Sequence, residues 1–156
     1  MTVAHNLEYY LTWSGIEAEV VAHRRTSTAA RTAKASHLPA GQLAKGVLLR
    51  DGVGYLLAVV PASHHVDLHA VGRLCGRPVT LADEEEIGRL FPDCEFGAVP
   101  PIGAAYGLPT IVDDVLASQP DVYLEGGDHL NLVHLRGEQF IGLMRDVPHG
   151  RFSSVT

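Results

Sequence analysis

Two apolar runs, Gly46-Val47-Leu48-Leu49-Arg50 and Tyr55-Leu56-Leu57-Ala58-Val59-Val60, flank the glycine-rich stretch Asp51-Gly52-Val53-Gly54. Apolar strands on either side of a turn that glycine permits make a β-hairpin. A chain with such a hairpin at its centre must complete a sheet around it. Further strands are expected over Ala18 to His23, Pro78 to Leu81, Thr110 to Asp113, Val122 to Leu124 and Leu130 to Leu135. Val3, Leu7, Tyr10 and Leu11 are spaced for a helix ending near Gly15. A second helix is expected from a cap at Ser27 or Thr28 towards Ser36, and a third after Asp67, with Leu68, Val71 and Leu74 on one face and Gly76 past its end. Asp83 to Glu86 opens a fourth, its acidic first turn suiting the helix dipole, and a last one lies around Gln139 to Met144. Consecutive prolines cannot donate to a ladder, so Gly97-Ala98-Val99-Pro100-Pro101-Ile102-Gly103 is a loop. With neither repeats, an interdomain linker nor regular βαβα alternation, the pattern predicts one α/β domain of α+β character over residues 1–156. Its sheet is mixed, largely antiparallel and flanked by helices.

A chain of 156 residues with 46% hydrophobic and 19% charged residues buries a sizeable core. It contains no run of 18 apolar residues, and Met1-Thr2-Val3-Ala4-His5 lacks the basic start of a secretory signal, so a cytoplasmic protein without a membrane partner is expected. Cys75 and Cys94 belong to no CxxC pair or zinc spacing and read as reduced core thiols.

The net charge of −6 argues against coating nucleic acid through bulk charge. Its distribution is uneven, however. Residues 20–50 hold Arg24, Arg25, Arg31, Lys34, Lys45 and Arg50, whereas all 18 acidic residues lie elsewhere. That segregation fits a local phosphate-binding surface on an acidic body, with one solvated helix face as the alternative.

Several chemistries lose their usual support. GxxxxGK[ST], GxGxxG, GxSxG and HExxH are all missing. His65 and His69 lie four apart, but Asp67 between them caps a helix and leaves His65 outside it, so no metal site is expected. His129 and His134 lie five apart across a predicted strand and should face opposite sides. Lys45 is one of two lysines against ten arginines and stands immediately before an apolar strand, where an ammonium can project into a cleft. Gly97 and Gly103 bracket two prolines, a stiff loop whose amides suit a developing oxyanion.

Lys45 before Val47-Leu48-Leu49, the Gly97 to Gly103 loop, Leu108-Pro109-Thr110-Ile111-Val112-Asp113 and Gly126-Gly127-Asp128-His129 together resemble the YbaK/prolyl-tRNA synthetase-associated editing domain family, over roughly residues 5–146. The resemblance implies a mixed sheet with surrounding helices and hydrolysis of mischarged transfer RNA, often prolyl-tRNA carrying alanine or cysteine, without a cofactor. By motif position it implies that Lys45 is the essential lysine, that Gly97, Ala98, Val99, Pro100 and Pro101 form the GxxxP substrate loop continued by Ile102 and Gly103, and that His129 lies in the pocket. His23 and Thr28 match the entrance segment. The partners implied are the acceptor end of tRNA, contacted by Arg24, Arg25, Arg31 and Lys34, and an aminoacyl-tRNA synthetase. Arg24-Arg25 stand where many members have prolines, and Gly46 follows Lys45 where a larger residue is common, which leaves the amino acid open. Two other readings remain: a non-catalytic module that binds an amino acid or aminoacyl group, and a synthetase-associated interaction domain.

Overall fold

The computed structural model describes residues 3–26 and 28–155. Its strands are β1 Glu19–Ala22, β2 Leu43–Arg50, β3 Tyr55–Pro61, β4 His64–Val66, β5 Thr80–Leu81, β6 Thr110–Asp113, β7 Asp121–Glu125, β8 Asn131–Arg136, β9 His149–Gly150 and β10 Ser153–Val155. The helices are α1 His5–Trp13, α2 Ala29–Ala35, α3 Leu68–Cys75, α4 Glu84–Leu90, α5 Asp114–Ala117 and α6 Gly137–Leu143, with single 3₁₀ turns at Ala40–Gln42 and Gly103–Tyr106.

The hairpin forms where expected and runs longer at its open end, from Ala44 opposite Pro61 to Arg50 opposite Tyr55 at the turn. At its tip the Asp51 carboxylate accepts from the Val53 and Gly54 amides, and Gly52 takes a φ of +89° that other residues rarely adopt. Around this pair the main sheet runs β1-β8-β7-β2-β3-β6-β9, with β5 added beside β2. Pairs β2–β7, β3–β6 and β6–β9 are parallel and the rest antiparallel, so the sheet is mixed and largely antiparallel.

Strand alternation divides the core. Leu48, Leu57, Val59, Leu124 and Leu135 face α1, α5 and α6, where Leu7, Leu11, Leu116 and Phe140 meet them. On the opposite face Leu49, Leu56, Ala58 and Val60 pack under α3, while Leu43, Leu132 and Ala62 pack with Ala33 of α2. Burying each large aliphatic side chain contributes about 1.5–3 kcal/mol, and β3, sandwiched between the two faces, is buried from Leu56 to Pro61.

Helix starts follow the expected chemistry. Thr28 caps α2, Asp67 caps α3, and Asp83 forms a reciprocal capping box with Glu86 on α4. Ser27, the alternative cap, lies outside the described residues. The sequence did not announce β4, β9 or β10. Leu74, expected on a buried face, is 52% exposed. His129 precedes β8 in a turn with φ +60°, so it and His134 do not flank one strand as expected. His65 lies on β4 and His69 on α3. Both cysteines are free and half-buried. No helix among the described residues is long and apolar enough to cross a membrane.

Candidate functional site

The parallel strands β2 and β7 pair only at Leu43 with Tyr123 and Ala44 with Leu124. One step further along stand Lys45 and Glu125, just past the end of the β2–β7 pairing. Alternation from Leu43 and Tyr123 puts both side chains on the α2 side of the sheet. The His23 amide extends the β1–β8 ladder by bonding the Leu130 carbonyl at 2.8 Å, and alternation from Val21 turns His23 to that side as well. Three polar groups therefore share the face that Leu43, Leu132 and Ala62 otherwise make apolar.

Each of the three has an atom without a partner. Lys45 is half-buried, makes no hydrogen bond or ion pair among the described residues, and has its pKa lowered by burial. Glu125 is 2% exposed and neither carboxylate oxygen is bonded. Its burial, and secondarily the charge of Asp128, raise its pKa to about 7. His23 donates from Nδ1 to the Arg24 carbonyl at 2.6 Å, which leaves Nε2 a buried acceptor with no partner.

A cleft of about 690 Å³ opens beside this face, lined by Arg24, Arg25, Thr26, Arg31, Lys34 and His129. The local fold gathers these cations. Thr28 accepts from the Arg31 amide at 3.2 Å and starts α2, whose 3.6-residue turn brings Arg31 and Lys34 to one side. A hydroxyl bond between Thr26 and Thr32 holds the preceding segment against the helix. All four basic residues expected to contact tRNA thus converge. Arg25 is also paired with Glu95 at 2.6 Å, in the loop that leads into Gly97. Arg50, the sixth basic residue of the span, points elsewhere and pairs with Glu86 at 3.0 Å.

His129 joins this cleft to the proline loop. Its Nε2–H donates to the Phe96 carbonyl at 2.5 Å, and the Glu95 amide donates to the Gly127 carbonyl at 2.7 Å. The turn before His129 requires glycine, since a Cβ at Gly126 would lie 2.7 Å from the Asn131 carbonyl oxygen and Gly127 has φ +103°. Asp128 completes the turn by accepting from the amides of Leu130 and Asn131 and from the Asn131 side chain. Within the loop, Ala98 to Gly103 are buried, with Val99 and Ile102 in the core, so Gly97 alone of the expected stretch is exposed. The Ala98 amide closes a turn onto Glu95, whereas those of Gly97 and Val99 have no acceptor among the described residues. Pro101 passes over Gly46: a Cβ there would lie 3.4 Å from Pro101 Cα and 3.1 Å from Leu57 Cδ1, which accounts for the small residue after Lys45.

The sequence reading missed Glu125, Glu95 and Asp128. The signal for Glu125 was an acidic residue closing an apolar strand directly before Gly126-Gly127, and only the buried face shows its weight.

A family model described as the aminoacyl-tRNA editing domain matches residues 23–143, a span that holds every candidate residue. The chain belongs to the aminoacyl-tRNA editing domain family. Among solved structures this editing domain is similar to a candidate trans-editing enzyme for prolyl-tRNA synthetase, with 26% identity and a TM-score of 0.86 over 99% of this chain and 98% of the other. The hypothetical protein APE2540 shares the fold at 22% identity and a TM-score of 0.85, over 96% of this chain and 100% of its own. A candidate signal transduction protein from Marinobacter aquaeolei VT8 matches at 25% identity and a TM-score of 0.67, covering 86% of this chain but 27% of that one. A search of curated proteins finds no significant match.

Proposed function

We propose that this editing domain acts in trans as an aminoacyl-tRNA deacylase, hydrolysing the ester between a wrongly attached amino acid and the terminal ribose of a tRNA. The observation that carries the reading is the junction at His129, where a cleft lined by Arg24, Arg25, Arg31 and Lys34 meets the loop beginning at Gly97. The cations suit the acceptor-end phosphates, which carry charge but no amino-acid information. His23 and Thr28, the entrance residues implied by the resemblance, bracket the cleft-lining Arg24, Arg25 and Thr26 in the chain.

An aminoacyl ester is already reactive, so positioning and charge stabilisation suffice without a protein nucleophile. Water attacks the acyl carbon, and the bond to the ribose oxygen then breaks, with a proton passing to that oxygen; attack by the neighbouring ribose hydroxyl would only move the acyl group to that hydroxyl, and water must then cleave the new ester. With water as nucleophile this directly releases the free amino acid and the intact tRNA. The unpaired Gly97 and Val99 amides are the donors for the carbonyl oxygen as it gains negative charge. Lys45, with no competing partner, holds the terminal ribose or phosphate and favours that charge. A hydrophobic sieve separates one methylene by only about 1–3 kcal/mol, so rejection of the correct amino acid rests on pocket size.

Alanyl- and cysteinyl-tRNA(Pro) are the first substrates to test, in view of the similarity to a candidate trans-editing enzyme for prolyl-tRNA synthetase. The signal-transduction neighbour supports a second reading, a non-catalytic module that senses an aminoacyl group. Deacylation of a panel of aminoacyl-tRNAs by wild type and Lys45→Ala separates the two. Selective hydrolysis that falls about 100-fold or more in the variant supports editing, since losing one preorganised charge-stabilising group costs that much. Retained aminoacyl binding without turnover by folded wild type supports the sensor.

A further inference from the structure

Glu125 has no role in the chemistry above, yet it is an expensive residue to keep. A buried carboxyl with both oxygens unbonded forfeits several kcal/mol of hydration that a leucine would not. It serves no visible structural purpose: its cross-strand neighbour on β8 is Leu132, and the residue two before it on the same face is Tyr123. Asp128, whose charge reaches it, is already saturated by three donors of the Leu130–Asn131 turn and adds only repulsion.

On its other side the parallel register leads to Lys45, one step past the last paired residues of β2 and β7. Two groups of opposite charge stand at neighbouring strand positions on one face, both desolvated, and still form no ion pair. An unpaired acid and an unpaired ammonium on one face suit an occupant of matching polarity, offering a cationic donor to Glu125 and an anionic or acceptor group to Lys45. The reacting end of an aminoacyl-tRNA has that polarity, with an α-ammonium on one side of the acyl carbon and the ribose and its phosphate on the other. His23 Nε2, the third unpartnered atom on this face, is an acceptor too, so the face provides acceptors for a polyvalent donor and a single cation.

We infer that Glu125 receives the α-ammonium of the aminoacyl group and, opposite Lys45, fixes the acyl carbon between a buried anion and a half-buried cation. The inference rests on the deacylase reading and deepens it: the site selects for an α-amino ester, and not merely for a small side chain. Lys45, which no bond restrains, moves its four-carbon stem to admit the ammonium. Bringing a cation beside Glu125 drives its ionisation, so a group that titrates at about pH 7 in the empty site is charged when the site is filled.

The test compares kcat/KM for the aminoacyl-tRNA that turns over fastest and for its α-hydroxy counterpart, in which a neutral hydroxyl replaces the ammonium, using wild type and Glu125→Gln. A charge-assisted hydrogen bond predicts a wild-type preference of about 10- to 100-fold for the amino ester. Glu125→Gln should reduce it to within about 3-fold, chiefly by raising KM for the amino ester, while the hydroxy ester is hydrolysed equally by both proteins. An unchanged preference in a folded, active Glu125→Gln overturns the role of Glu125 and leaves deacylation standing. Wild type that hydrolyses both esters equally overturns it without recourse to any variant. Wild type that hydrolyses no aminoacyl ester overturns the deacylase reading and this inference with it.

Discussion

Glu125 keeps its proton in the folded chain up to about pH 7, whereas its ordinary pKa, the value for the unfolded chain, is 4.5. Between those values the folded state binds more protons than the unfolded one, so stability falls as pH rises through this window. The contribution is fully present below the unfolded value and lost above the folded one, at most about 3 kcal/mol. Glu86, held low chiefly by the Asp83 amide, and Asp51, held low chiefly by the Val53 amide, act with the opposite sign and only as pH drops below the ordinary carboxylate range. Melting of wild type and Glu125→Gln at about pH 5 and pH 8 should therefore show wild type losing stability relative to the variant at the higher pH. Parallel trends in the two proteins would contradict the buried, unpaired carboxyl. Two glycines make a sharper contrast. A Cβ at Gly103 would lie 1.9 Å from Thr110 Oγ1 and 2.9 Å from the Leu108 carbonyl oxygen, whereas one at Gly88 on α4 would meet nothing within 4 Å. Gly103→Ala is expected to cost about 1–3 kcal/mol or more through overpacking, and Gly88→Ala to add up to about 1 kcal/mol of helix propensity. Urea midpoints should move in opposite directions.

At the level of elements, local chemistry was readable and long-range pairing was not. The hairpin carries its own turn, and Thr28, Asp67 and Asp83 sit at helix starts because their side chains bond amides three residues on. By contrast β4 and β10 are short, polar strands whose residues show no alternation, and they exist because distant chain segments meet. Asp113 makes that meeting possible. Its carboxylate is buried at the start of α5 and accepts from the Val115 and Phe152 amides and the Ser153 hydroxyl, at 3.0, 3.1 and 2.8 Å. Asp113→Ala leaves these donors unsatisfied and should cost about 2–4 kcal/mol. Hydrogen exchange should then accelerate first at Phe152 and β10; exchange raised evenly over the sheet would show that Asp113 does not specifically pin this strand.

For the molecule as a whole, a net charge of −6 coexists with a cleft lined by four cations and His129. On the proposed function, repulsion from the acidic body would make tRNA binding depend on that cleft. Replacing Arg24 and Arg25 together by Ala should weaken binding and flatten the plot of log K against log salt by about 0.7 for each phosphate no longer neutralised. An unchanged slope would remove both from the interface. The clustering of basic residues within 20–50 was visible in the linear chain because β1, the entrance segment and α2 are consecutive. By itself the sequence also determined the hairpin, the helix caps, the glycines of the Gly126-Gly127 turn and the family motifs, all of which are local patterns of spacing and backbone freedom. Tertiary structure alone decided that His129 would hold the Phe96 carbonyl, that Gly46 would clear a path for Pro101, and that the pairing of β2 with β7 would end one residue before Lys45 and Glu125. Those outcomes depend on which strands become neighbours, and parallel pairing between segments some eighty residues apart is set by packing of the whole core, which no short stretch of sequence encodes.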